Sequence, residues 1–81
     1  MKHAIKEDEL THQLLEENEE FRQLKEEHAW FHRKVEDLER KTYLTPAEQL
    51  QYEELKKKKL VLKDKMERMI LVFRQQIEGQ G

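Results

Sequence analysis

The sequence contains no cysteine and no serine, and it has only two glycines and one proline among its 81 residues. Without cysteine the chain can form neither disulfides nor thiolate metal sites. It also lacks a serine or cysteine nucleophile, and two glycines cannot build a glycine-rich phosphate loop. We therefore expect no enzymatic activity and no cofactor.

Apolar residues are also scarce, and the longest apolar run has only five residues, Met69 to Phe73. A helix needs about 20 apolar residues to span a bilayer, and the first residues contain no apolar segment of the signal-peptide type. We expect a cytoplasmic protein without a membrane role. With 36% hydrophobic residues, residues 1–81 can form one small domain whose thin core needs support from helix packing or self-association.

Charged residues make up 42% of the chain, and apolar residues recur among them at alternating steps of four and three. This spacing places each of two series on one face of a helix, as in coiled coils. The first series, in which only Glu17, His28 and Thr42 are polar, is Leu10, Leu14, Glu17, Phe21, Leu24, His28, Phe31, Val35, Leu38 and Thr42. The second series is Tyr52, Leu55, Lys59, Leu62, Met66, Met69 and Phe73.

A helix boundary is predicted between the two series, at Thr45 and Pro46. Pro46 disfavours helical geometry at the preceding residue and suits the first position of a helix. Thr45 suits the N-cap position, and Glu48 follows three residues later, so the two residues can form a reciprocal capping box. We therefore predict helix 1 over residues 8–41, a turn over 42–45 and helix 2 over 46–77.

The predicted fold class is all-α, a two-helix antiparallel hairpin of the coiled-coil type, because a short connection makes consecutive helices antiparallel neighbours. Facing residues then have numbers that sum to about 87, which places His28 opposite Lys59 as a polar layer in the seam. Such layers fix register at a cost in stability. The charges favour this pairing, since residues 1–41 carry a net charge of −4 (8 basic, 12 acidic) and residues 42–81 one of +2 (8 basic, 6 acidic).

Residues 55–66, LKKKKLVLKDKM, resemble the signature of the YdcH-like family of small bacterial proteins of unknown function. The resemblance extends over about residues 10–74. It implies a helical hairpin in the bacterial cytosol and transfers no activity, catalytic residue or cofactor. The upstream residues that match the family's spacing are Phe21, Leu24, His28, Phe31 and Val35, and the departures from its pattern are Lys58, Val61 and Lys65.

Several apolar residues lie outside both series and would be exposed in a lone hairpin. The run from Met69 to Phe73 is apolar around the whole helix, which indicates burial on more than one side. We therefore predict a homodimer, with pairing of two hairpins into a four-helix bundle as one arrangement, and a further protein partner that the sequence does not identify. The predicted interface residues are Leu15, Trp30, Leu60, Val61, Ile70, Leu71 and Val72.

A basic stretch on helix 2 offers an alternative function, that of a nucleic-acid-associated protein, because lysine and arginine bind phosphates. Consecutive residues spread around a helix, however, so we favour a solvated face over a one-sided basic patch. A membrane-surface role is favoured still less, because the helix would have to leave its partner to expose an apolar face. The basic residues are Lys56, Lys57, Lys58, Lys63, Lys65 and Arg68.

Two histidines have a spacing that can place both imidazoles on one metal ion. His28 and His32 are four residues apart on one predicted helix, with Glu27 beside them. Structural zinc normally takes four ligands, so two imidazoles are too few. We expect no metal site here.

Overall fold

The computed structural model describes residues 6–79, which form three α-helices and, within that range, no strand. α1 spans Glu7–Glu17, α2 spans Glu19–Glu39 and α3 spans Pro46–Gly79. The all-α prediction is confirmed, but the two-helix description is wrong, because the first predicted helix breaks at Asn18. α2 and α3 pack together, and α1 packs against both. The first five and last two residues of the predicted domain lie outside the described residues.

The break between α1 and α2 is held by capping from both sides. Asn18 has an extended backbone, with φ −120° and ψ 110°, and its side-chain oxygen accepts a hydrogen bond of 2.9 Å from the Phe21 amide. Arg22 donates from its guanidinium to the carbonyl oxygens of Leu15 and Glu16 at 3.3 and 3.2 Å. These bonds satisfy backbone groups that a helix end leaves unpaired, so the chain can change direction here at little cost.

α3 begins with the capping box predicted from the sequence. The Glu48 amide donates to the Thr45 hydroxyl and the Thr45 amide donates to the Glu48 carboxylate, both at 3.1 Å. Lys41 pairs with the same carboxylate from the connecting segment. The hydrogen bonds from Lys41 and then from the Thr45 amide lower the pKa of Glu48 below its ordinary value. Residues 40–45 are thereby tied to the first turn of α3.

The core follows the predicted seam along most of its length, and α2 and α3 run antiparallel. Near the connection the Tyr52 hydroxyl donates a hydrogen bond of 3.0 Å to Glu39. The predicted seam was wrong at Glu17 and Thr42, which are both exposed. α1 ends at Glu17 and α2 ends before Thr42, so neither residue lies within a continuous helix face. The buried apolar side chains of the described residues are Leu10, Leu14, Phe21, Val35, Leu38 and Leu62.

Candidate functional site

One side of α3 carries large apolar side chains that face solvent. Leu60, Val61, Leu71 and Val72 are each between 52% and 55% exposed. Leu71 lies nine residues after the buried Leu62, which at about 3.6 residues per turn puts it on the opposite side of the helix. Leu60 is nearly opposite Leu62 as well, whereas Val61 and Val72 lie about a quarter-turn from Leu62. The four side chains together form an apolar surface that the packing of α3 leaves about half exposed.

Two charged residues lie between these apolar pairs. Asp64 and Arg68 form an ion pair along α3, and helical spacing places them on the same side as Leu60 and Leu71. We call the surface made by these two residues and the four apolar ones the outer face of α3. Its members are Leu60, Val61, Asp64, Arg68, Leu71 and Val72.

A groove of roughly 340 Å³ borders the outer face, between α3 and α2. Its walls include Phe31, Val61 and Leu62. The Lys58 ammonium lies 6.0 Å from the centroid of the Phe31 ring. Trp30 meets that ring edge-on, with centroids 4.9 Å apart, and is itself 46% exposed. Trp30 lies on α2 beside Lys34, whose ammonium is 5.4 Å from the centroid of the indole ring, and it does not line this groove.

A second groove repeats this environment three helical turns further along α3. It is lined by Met69, Val72 and Phe73 on α3, with Leu14 of α1 and the junction residue Asn18 on its other side. Val72 lies eleven residues after Val61, which brings it back to nearly the same helix face. The outer face is thus bordered by an apolar groove at each end.

The predicted polar layer lies in the seam between α2 and α3. His28 is half-buried, its ring stacks on His32 with centroids 6.2 Å apart, and its Nε2 atom is shielded from solvent without a hydrogen-bond partner. Burial first, and then the charges of Lys59, His32 and Lys63, lowers the pKa of His28. Both effects disfavour the charged form of this imidazole in the folded chain.

The predicted basic residues take different environments along α3. Lys56 lies 5.7 Å from the Tyr52 ring, Lys57 and Lys58 line the first groove, and Arg68 pairs with Asp64. Lys63 and Lys65 are exposed. The cations of this stretch are thus distributed around the helix and do not form one continuous surface.

Two of the predicted interface residues differ from the rest. Leu15 and Ile70 are half-buried, Leu15 because α1 packs against the other helices. Ile70 lies eight residues after Leu62, on the flank of the buried face of α3. Sequence reasoning also missed Tyr43, an 80% exposed aromatic residue in the connecting segment, because that segment has no periodic pattern to test it against.

The sequence of most of α2 and α3 matches a family model. The matched segment contains Phe21, His28 and the lysine stretch. Residues 21–70 match the model described as protein of unknown function DUF465. The chain belongs to the DUF465 family. The resemblance to YdcH-like proteins is thereby confirmed, since those proteins belong to this family. No curated protein and no solved structure matched this DUF465 chain.

Between residues 6 and 79, no helix is both long and apolar enough to cross a membrane. Within the same residues, no group of three or more histidine, cysteine, aspartate or glutamate side chains is placed to hold a metal ion. The Nε2 atom of His32 instead lies 3.1 Å from the carboxylate of Glu36.

Proposed function

We propose that this DUF465 protein is a non-enzymatic helical interaction module that self-associates through the outer face of α3. The proposal includes a homodimer in the cytoplasm that acts as a scaffold for a further protein partner. It rests on one observation above all: four large apolar side chains of α3 remain about half exposed, and two of them, Leu60 and Leu71, lie opposite the buried Leu62.

The exposed halves of these side chains determine how much apolar burial can contribute to the free energy of association. Complete burial of a valine or leucine side chain stabilises by about 1.5–3 kcal/mol, so burial of the remaining half contributes about 1 kcal/mol. A dimer buries Leu71 twice, and losing both contacts should cost about 2 kcal/mol, roughly a 30-fold weaker association. A glutamate at this position adds the cost of removing a charge from water.

Light scattering over a range of protein concentrations tests the proposal. The wild type should approach twice the chain mass of 10.0 kDa as the concentration rises, whereas Leu71→Glu should remain monomeric in the same range. Gln51→Glu is the matched control, because it adds the same charge at an exposed position of the same helix, far from Leu71 and the rest of the outer face. A wild-type protein that stays monomeric at all concentrations, yet unfolds cooperatively, would contradict self-association.

The alternative, nucleic-acid binding by the stretch from Lys56 to Arg68, has less support from the geometry. Binding to phosphates is strongest where cations share one side of a helix, and here Lys58 lies over an aromatic ring and Arg68 pairs with a carboxylate. The alternative predicts salt-dependent binding of DNA or RNA. A variant with Lys57 and Lys58 changed to glutamate should abolish that binding, and no binding to wild type at low salt would exclude it.

A further inference from the structure

The residues of the outer face have a spacing that reads the same in both directions along α3. From Leu60 to Val72 the steps are one, three, four, three and one. The midpoint of this series is Met66, and the charged residues Asp64 and Arg68 lie two positions on either side of it. The apolar pairs lie five and six positions away on either side. An apolar surface with this symmetry matches itself after a half-turn about an axis through its centre.

The arrangement of charge distinguishes the two directions in which a second copy of α3 could pack here. In an in-register parallel pair, Asp64 would lie near Asp64 of the other copy and Arg68 near Arg68, so that like charges meet. In an antiparallel pair centred at Met66, each Asp64 would instead face Arg68. Opposite charges at close range favour the second arrangement, and like charges penalise the first.

The same centre also pairs the apolar residues. About Met66, Leu60 of one copy faces Val72 of the other, and Val61 faces Leu71. α3 is one helix of 34 residues, so the whole series lies on a single rod. Contacts related by a two-fold axis are the common way in which two identical chains associate.

We propose that two copies of this chain pair through their α3 helices in an antiparallel arrangement, with a two-fold axis at Met66 and Asp64 of each copy facing Arg68 of the other. This arrangement rests on the proposed self-association and specifies the partner as a second copy in one register. Lys57 then faces Gln75, so no like charges meet at the next position outward.

Charge reversal tests this register without removing any apolar contact. Asp64→Arg places two arginines on each outer face, and Arg68→Asp places two aspartates there. Each variant alone should dimerise about five- to tenfold more weakly than wild type, because like charges then meet across the axis. An equimolar mixture of the two variants should recover association as a heterodimer, and the double variant Asp64→Arg with Arg68→Asp should recover the homodimer.

Sedimentation velocity of the single variants, the mixture and the double variant measures each of these outcomes. Asp37→Arg is the control, because it breaks an exposed pair with Arg40 on α2 and should leave association unchanged. Unchanged dimerisation of both single variants, or a mixture no stronger than its components, would overturn the register while leaving self-association intact. A monomeric wild type would instead overturn the proposed function.

Discussion

Replacing His28 with leucine should stabilise the packing of α2 on α3, and the gain should grow as the pH falls. The Nε2 atom of His28 is shielded from solvent and lacks a hydrogen-bond partner among the described residues. A buried polar atom without a partner costs about 1–3 kcal/mol. Because His28 as a whole is only half-buried, we expect a gain in unfolding free energy near the lower end, about 1 kcal/mol at neutral pH.

The pH dependence follows from the lowered pKa of His28. In the unfolded chain the imidazole takes up a proton near about pH 6.5, whereas the folded protein takes it up only at lower pH. The unfolding free energy of wild type should therefore fall as the pH drops below about 6.5, until the folded state is protonated as well. Lys59 and Lys63 from α3 and His32 from α2 oppose protonation in the same direction as burial.

Urea unfolding at one protein concentration, at about pH 7.5 and about pH 5.5 on either side of the ordinary histidine pKa, measures both effects. His12→Gln is the control, because His12 is exposed on α1 and is not among the groups that act on His28, so the pH dependence of wild type should persist. A His28→Leu variant that is less stable than wild type at the higher pH would refute this reasoning. So would equal losses of stability in wild type and variant between the two pH values.

Thr45 and Asn18 cap the N-termini of α3 and α2. Thr45→Ala should lower the unfolding free energy by about 1 kcal/mol, because the hydroxyl that accepts from the Glu48 amide is lost. Thr45→Ser should stay near wild type in the same urea titration. Equal losses in both variants would contradict the capping role. Asn18→Ala removes the acceptor for the Phe21 amide, so hydrogen exchange at that amide should accelerate. Asn18→Asp should preserve its protection, and unchanged exchange in the alanine variant would show that the side chain does not hold the break.

The seam and the start of α3 were predictable because each depends on local chemistry. The steps of four and three from Phe21 to Leu38 identify one helix face, and those positions are buried or half-buried in the structure. The capping box needs only Thr45, Pro46 and Glu48 in the right order. Both signals are contained within a few turns of chain, so no tertiary information is required to find them.

The break at Asn18 was not predictable from the heptad, because the alternating steps continue through Glu17 to Phe21 without interruption. A periodic pattern reports which face is apolar, and it does not report whether the helix axis changes direction. The available signal was Asn18 followed by two glutamates, which is typical of a helix start. The contribution of Arg22 depends on a contact with carbonyl groups of α1, which the sequence alone cannot reveal.

The candidate site was predictable as a set of outward residues and not as a geometry. Leu60, Leu71 and Trp30 fall outside the seam by simple helical counting, and all three are exposed. The grooves beside them depend on how α2 and α1 lie on α3, and sequence patterns do not determine that placement. The symmetry about Met66 was present in the residue spacing, but it acquires meaning only when the structure shows those positions on one exposed helix face.

Distances between spin labels on two copies of α3 distinguish antiparallel pairing about Met66 from any other arrangement. The chain has no cysteine, so a single cysteine at exposed Lys65 or at exposed Gln51 carries one label per copy. Antiparallel pairing about Met66 predicts a short distance for Lys65, set mainly by helices about 10 Å apart. It predicts roughly 45 Å for Gln51, which lies 15 residues from the axis in each copy. Short distances at both positions, or no dipolar coupling at either, would contradict the antiparallel dimer.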